Sequence, residues 1–475
     1  MGRTKPYDIV VVGAGIAGLA IAEIFSRSGL KVALLEKNHK VCQESSGTHQ
    51  EWFHFGSLYS IFPNNQFMRT LVGGIDDMLD YYNSFPGMNI IVNRNGKLEF
   101  EAGPDKWIRN EPIEYIVSAR NDSDFSLGVY DGPINYARKL FFLLTWEMAI
   151  KQFIARHQRF HQFDWRTGPA SEWVPRAGWL DYSRDVISSV TDLDACIAKN
   201  THFKIPGFDK PMNAISIIED LLRSFLSHGG ELRLDMPVSS ATPNDKGPVK
   251  VTLKNGEVYA KKVLFAGGKY LNGLMGNKLE IKVIASPLLV AYPQVCRQNF
   301  VRLTPFMEKT LNHISHYANG RSYSVIGGGY FADANDPAAV ETSKAKLLET
   351  AVRVFPKIAE AELKETYVGY KTEFVASGKE RNYQYQIKRV DDDIYVAIPG
   401  KFSLAFSLAR HAHVEVLGAE PCKQSYFDVN MDVSEFTTPI KHRHIVMEHI
   451  GRTALDLHTV LKPPMDTKLT SALAV

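Results

Sequence analysis

The sequence predicts an α/β fold: a parallel sheet with crossover helices, plus an inserted α+β domain built on a mixed or antiparallel sheet. Three observations predict it. A strand–glycine turn–helix–strand block opens the chain, a helix–strand–hairpin–strand block spans Met212–Gly268, and a strand–turn–helix block begins at Ile394. They place the parallel-sheet domain at 1–92, 211–275 and 390–420, and the inserted domain at 93–210 and 276–389, with an extension over 421–475.

In the first block, Asp8-Ile-Val-Val-Val12 is a short β-branched run, the kind buried on both faces of a parallel sheet. Gly13-Ala-Gly15-Ile16-Ala17-Gly18 follows at once, and Leu19 to Ser28 reads as a helix that stops at Gly29. In such a Rossmann-like unit Gly13 allows the tight turn, Gly15 lets a pyrophosphate approach the backbone, and Gly18 lets helix and strand pack closely. The helix start presents N–H groups and the positive end of its dipole to the phosphates. Lys31-Val-Ala-Leu-Leu35 is the second strand, closed by Glu36, whose carboxylate suits the hydroxyls of an adenosine ribose, with Lys37 beside it. The glycine spacing alone is a weak signal. The same glycines between two strands, with an acid closing the second, are specific.

Composition sets the wider limits. The 475 residues, 45% hydrophobic and 23% charged, suffice for a large core and two domains. Lys and Arg total 55 against 52 Asp and Glu, with no dense basic run, which argues against a nucleic-acid surface. Cys42, Cys196, Cys296 and Cys422 stand far apart, so no disulfide framework, zinc site or other metal is expected, and a reducing cytoplasm is the default. Tyr7–Phe25 is apolar enough to mimic a signal-peptide core, but its glycines at motif spacing, with Asp8 and Glu23, fit the strand–turn–helix better. No other stretch approaches the ~18 apolar residues of a membrane span. A soluble cytoplasmic protein with no transmembrane segment is the expectation.

The second block starts with a helix from Met212 to His228, with Ile215, Ile218, Leu222 and Phe225 on one face, and it ends at Gly229-Gly230. Leu232, Leu234, Met236 and Val238 alternate as a strand, and Val249–Leu253 and Val258–Ala260 flank Asn255-Gly256 as a hairpin. Another buried strand runs from Lys262 into Gly267 and Gly268. In the third block, Ile394–Ile398 is a strand, Pro399-Gly400-Lys401 a turn, and Phe402 to His411 a helix. A helix start there, together with Lys401, would stabilise negative charge developing on a bound ring.

The chain resembles the D-amino-acid oxidase (DAO) superfamily, nearest its L-2-hydroxyglutarate oxidase and glycerol-3-phosphate dehydrogenase branches. Gly13, Gly15, Gly18 and Glu36 carry the resemblance, with Glu44-Ser45-Ser46-Gly47, His54-Phe-Gly-Ser-Leu-Tyr59, the 212–268 block and Pro399-Gly400-Lys401-Phe402-Ser403. It implies FAD, held by non-covalent contacts rather than a covalent bond. Ser45 and Ser46 would meet the pyrophosphate or flavin edge, Val238 the adenine through its backbone, and Gly267, Gly268 and Gly400–Ser403 would pass close to the cofactor. Some relatives attach FAD to a histidine in the loop that holds His49, but Gly47-Thr-His49 does not match their motif. Over Asn93–Lys210 and most of Lys269–Arg389 no motif matches.

The implied reaction is hydride transfer to flavin N5 from a C–H bearing a hydroxyl, in a small hydroxy acid or polyol phosphate. His54 is the candidate base, because an imidazole titrates near working pH. Oxidation of an amine or amino acid stays open, as do an NAD(P)H-dependent flavin monooxygenase, a non-catalytic FAD-binding protein, oxygen or a quinone as acceptor, and a homo-oligomer. For substrate binding the candidates are Tyr59, with Arg321 and Tyr323 on a predicted strand over 320–329, since an arginine fork matches a carboxylate or phosphate. Lys371 and Arg381 are further candidates. Trp107, Trp146, Trp165, Trp173 and Trp179, with Arg156–His161, read as core packing and a solvated helix face. A helix is expected from Ile445 to Leu461.

Overall fold

The computed structural model describes residues 5–61, 66–118, 164–165, 168, 193–198, 201–205, 207–244, 247–303, 310–375 and 381–451. Two eight-stranded sheets organise them. In the first, Tyr7–Val12 lies parallel to both Val32–Leu35 and Gly256–Phe265. Parallel pairing continues to Glu231–Arg233 beyond one neighbour and to Ile394–Ile398 beyond the other.

Period-two alternation sends side chains of one strand into two cores. Ile9 and Val11 meet the helices Ile16–Arg27, Ala214–Ser227 and Ala405–Leu417 through Leu19, Ile24, Leu222 and Leu408. Val10 and Val12 join Val251, Val263 and Phe265 on the opposite face. The Asn255-Gly256 hairpin forms as its sequence predicts, with Val249 opposite Ala260 and Val251 opposite Val258.

Three local readings differ from the outcome. The hairpin arm at Val258–Ala260 and the run from Lys262 are one continuous strand, Gly256–Phe265. The alternating run Leu232–Val238 is not one strand but the end of Glu231–Arg233 and the start of Val238–Asn244. Asp235 takes the left-handed conformation (φ 56°), and Pro237 has no N–H to give a ladder. After Lys401 the chain makes a 3₁₀ turn, Phe402–Leu404, before the α-helix Ala405–Leu417.

The second sheet is antiparallel except where Phe300–Leu303 runs parallel to Glu114–Ser118, which makes it mixed. Its longest pairing joins Ile281–Tyr292 to Leu363–Phe374, and Leu311–Ala318 pairs with Arg321–Gly328. In the C-terminal segment the helix is Lys441–His449, earlier than the expected start at Ile445, and its Ile445, Val446 and Met447 pack on Leu288, Val290 and Tyr323. Residues 452–461 of the expected helix lie outside the described residues. So do Trp146, Trp173, Trp179 and Arg156–His161, whereas Trp107 is fully buried against Phe85 and Phe406. No helix among the described residues is long and apolar enough to cross a membrane.

Candidate active site

A cavity of about 860 Å³ opens where the carboxyl ends of the parallel strands, at Val12, Leu35, Ala266 and Ile398, face Ser286, Leu288 and Gly369 of the second sheet. Ligand sites of open α/β sheets lie at such strand ends. One stretch of the wall is the glycine turn. A Cβ on Gly13, whose φ is +98°, would stand 2.8 Å from the Ala266 carbonyl oxygen. A Cβ on Gly18 would stand 1.8 Å from the Gly13 carbonyl oxygen, so Gly18 lies behind the wall and sets how closely helix and turn approach.

Side chains lock this turn. Glu36 accepts the N–H groups of Ala14 (2.7 Å) and Asn38 (3.0 Å), which ties the end of the second strand to the glycines. Ser46 Oγ accepts the Ile16 N–H at 2.9 Å. Glu44 bridges Lys37 and Lys269 at 2.8 and 2.9 Å. Burial works to raise its pKa, but the two ammonium groups outweigh it and hold the carboxyl at about 2. Gly15, Ala17, Ser45, Val238, Gly267 and Gly268 line the same stretch.

The second stretch is aromatic and cationic. His54 lies 4.3 Å from the Trp52 ring and 5.6 Å from Tyr59, centroid to centroid. Its Nδ1 is 3.9 Å from Asp209 Oδ2, and Asp209 is fully buried. Asp209 in turn accepts the Tyr115 hydroxyl (2.5 Å) and the Phe55 N–H (2.7 Å). Burial, then the charge of Lys401, lowers the His54 pKa to about 4, so the ring is neutral at neutral pH.

Lys401 sits over Tyr59 (5.2 Å) and Tyr383 (4.9 Å), and burial, then Arg381, brings its ammonium down to about 7. Lys371 donates to Ser286 Oγ at 3.2 Å, and burial, then Lys401, holds it well below the usual lysine range. Arg381 Nε donates to both oxygens of buried Glu373 at 3.0 Å, Nη2 completes the fork, and its guanidinium covers Tyr383 at 4.3 Å.

Most predicted site residues meet on these two stretches, Tyr59, Gly400 and Phe402 among them. Ser403 is buried and, like Gly18, does not line the cavity. Neither do Arg321 and Tyr323. The strand Arg321–Gly328 reaches the cavity through its other end, at Gly327 and Gly328. The Arg321 guanidinium donates to the Tyr292 hydroxyl instead, and buried Tyr323 lies 2.8 Å from His442 Nδ1. Lys371 and Arg381 stand on the wall in their place. Trp52, Asp209 and Tyr383 gave no sequence signal, since no motif spacing surrounds them.

The walls suit a dinucleotide carrying a ring system. The turn at Gly13 leaves no room for a side chain. His49 Nδ1 accepts the Glu51 N–H at 2.9 Å, so Nε2 carries the proton, and both His49 Nε2 and Trp52 Nε1 are buried on the wall without a protein partner.

The profile of the FAD dependent oxidoreductase (DAO) family matches residues 8–119 and 211–406. The chain belongs to that family. It is a FAD-dependent oxidoreductase, with FAD as its cofactor. The DAO match covers the Lys269–Arg389 stretch, over most of which the sequence offered no motif.

Solved structures share the fold. The dithionite-reduced L-α-glycerophosphate oxidase of Mycoplasma pneumoniae with FAD bound is 16% identical, with a TM-score of 0.60 over 89% of this chain and 98% of that one. Glycine oxidase from Geobacillus kaustophilus is 14% identical, TM-score 0.53, over 90% and 98%. NikD, an unusual amino acid oxidase essential for nikkomycin biosynthesis, is 15% identical, TM-score 0.54, over 92% and 98%. Phytoene desaturase of Phycomyces blakesleeanus is 22% identical over 281 residues, 53% of this chain, and the match spans 46% of that protein's length.

Proposed function

We propose that this DAO-family enzyme oxidises a small hydroxy acid or polyol phosphate at the carbon bearing the hydroxyl. The observation that carries the reading is the set of three basic side chains, Lys371, Arg381 and Lys401, on the wall that also holds His54. Bound FAD supplies a hydride acceptor.

The protein's own residues do the rest. Arg381 keeps its buried Nη1 without a protein partner, while Glu373 orients the fork, so a carboxylate or phosphate finds a ready donor. An anion seated there restores the charge that burial removes from Lys371 and Lys401, so binding takes up protons. Neutral His54 accepts the hydroxyl proton, and the buried Asp209 carboxylate offsets the charge the ring then gains. The same cations repel a substrate ammonium, which favours a hydroxyl over an amine. The cofactor is held non-covalently, and acid precipitation of the protein is expected to leave all flavin in the supernatant.

An anaerobic absorbance titration tests the reading, with 2-hydroxy acids, glycerol 3-phosphate, amino acids, amines and NAD(P)H as reductants. Bleaching of the flavin band by an anionic hydroxy compound is the expected result. Bleaching by amines or amino acids alone would overturn the hydroxyl assignment, and bleaching by NAD(P)H alone would point to monooxygenase chemistry.

A further inference from the structure

Behind the cofactor cavity three ligand-type side chains from distant parts of the chain meet. Glu51 belongs to the loop that lines the cavity through His49 and Gln50, His316 to the strand Leu311–Ala318, and His442 to the helix Lys441–His449. Glu51 Oε2, His316 Nδ1 and His442 Nε2 lie within 4.8 Å of one another, and the carboxylate oxygen is 3.4 Å from each nitrogen. All three residues are buried. We propose that they bind a divalent cation of the zinc class, as a structural staple independent of the substrate reading above.

The spacing fits. Tetrahedral bonds of about 2.0–2.1 Å put neighbouring ligand atoms about 3.3 Å apart. Tautomers point the same way. His316 Nε2 lies 3.2 Å from the Gln50 carbonyl oxygen, which only accepts, so that nitrogen carries the ring proton. Nδ1 then turns a lone pair toward a carboxylate oxygen, and two acceptors facing each other in a dry interior call for a positive centre between them. Glu51 Oε2 and His442 Nε2 face each other at 3.4 Å, and neither makes a hydrogen bond of good geometry in the protein.

Each ligand also has the outer partner that metal ligands use. The Gln50 carbonyl holds His316, the Tyr323 hydroxyl stands 2.8 Å from His442 Nδ1, and the Ala214 N–H donates to Glu51 Oε1 at 2.9 Å. Two imidazoles and a carboxylate suit zinc better than calcium or magnesium. One contact opposes a cation: Arg443 Nη2 is 3.6 Å from the same Glu51 oxygen. The rival arrangement is therefore a Glu51–Arg443 ion pair, with protons on His316 Nδ1 and His442 Nε2 in place of the metal. Among the described residues no fourth ligand is present, which leaves that position to a water. The cation would tie the C-terminal helix, beyond the family-matched residues, to the loop carrying His49 and Gln50.

Metal analysis of the flavin-loaded enzyme decides, after removal of loosely bound metal by dialysis and again after reconstitution with Zn²⁺ or Co²⁺. Tight binding predicts about one equivalent of metal per chain and ligand-field bands in the Co²⁺-minus-Zn²⁺ difference spectrum. His442→Gln is expected to lower occupancy about tenfold or more, since it removes one ligand. Wild-type protein that retains under about a tenth of an equivalent and shows no Co²⁺ bands overturns the proposal, because sites of this class bind tightly. Unchanged metal in folded His442→Gln overturns it too.

Discussion

The Asp209 carboxylate stops 3.9 Å short of His54 Nδ1, and both its oxygens are already engaged, one by Tyr115 and the other by the Phe55 amide. This carboxylate therefore acts on the histidine by charge rather than by a hydrogen bond. At that separation, in a buried site, the attraction is substantial only once the ring has gained a proton.

Two substitutions follow from that geometry. His54→Ala is expected to slow flavin bleaching by the substrate about 10²–10⁴-fold, the usual range for a lost general base. Asp209→Asn, close to isosteric, is expected to cost about tenfold, near 1.4 kcal/mol. Rapid-mixing absorbance measures both, and a wild-type rate in His54→Ala would remove the histidine from the chemistry.

Arg381 and Glu373 form a buried pair, so the single and double variants separate binding from stability. Arg381→Met leaves the buried Glu373 carboxylate the Asn382 N–H but not its guanidinium partner, which costs about 3–5 kcal/mol of stability. Arg381→Met with Glu373→Gln is expected to regain most of that stability while KM for the anionic substrate stays raised about tenfold or more. Urea unfolding and steady-state kinetics on the two proteins check it. A double variant with wild-type KM would place the anion elsewhere.

Gly18→Ala would push the glycine turn off its helix, because the added carbon falls 1.8 Å from the Gly13 carbonyl oxygen. The expected result is protein purified with little flavin, read from the ratio of visible to ultraviolet absorbance. Full flavin content with a wild-type circular dichroism spectrum would contradict it.

Buried histidines set an acid limit on stability. Burial holds His54 and His313 at about 4, whereas an imidazole in the unfolded chain titrates near 6.5. Between those values the unfolded chain binds more protons, so stability is fully present above about pH 6.5 and falls as the pH drops toward 4. Urea midpoints at pH 7.5, 6 and 5 are expected to decrease in that order, and His313→Gln to flatten the trend. Midpoints that do not change between pH 7.5 and 5 would disprove the neutral burial of these rings.

The glycine turn and Glu36 were legible in the sequence because a missing Cβ and a terminal acid state their own geometry. The hairpin at Asn255-Gly256 was legible for the same reason. No motif marks Lys371 and Arg381, because what brings Lys371 to His54 is the register of Leu363–Phe374 on Ile281–Tyr292, which side-chain pattern does not encode. Asp209 arrives by a similar route, through the pairing of Phe53 with Lys210, 157 residues apart by their numbers. Arg321 lies on a strand that reaches the cavity but stands at its far end, because alternation tells faces and not ends. Likewise the Leu232–Val238 pattern ran straight through the turn at Asp235, since hydrophobicity carries no record of φ.

The order of the first sheet has a consequence for how the chain is made. Tyr7–Val12 and Val32–Leu35 sit between Gly256–Phe265 and Glu231–Arg233, so two strands made early are closed in by two made late. At roughly 5–20 residues per second, the first pair leaves the ribosome on the order of ten to fifty seconds before its outer neighbours exist. A pair of strands is only marginally stable, and the helix Ile16–Arg27 made between them covers one face of a pair built to be covered on both. The nascent chain must therefore carry the opposite apolar face, Val10, Val12, Ala33 and Leu35, uncovered until Gly256–Phe265 is made. A chain released near residue 250 would lack the Val251, Val263 and Phe265 that bury that face, and aggregation of such fragments is the expected signature of interrupted translation.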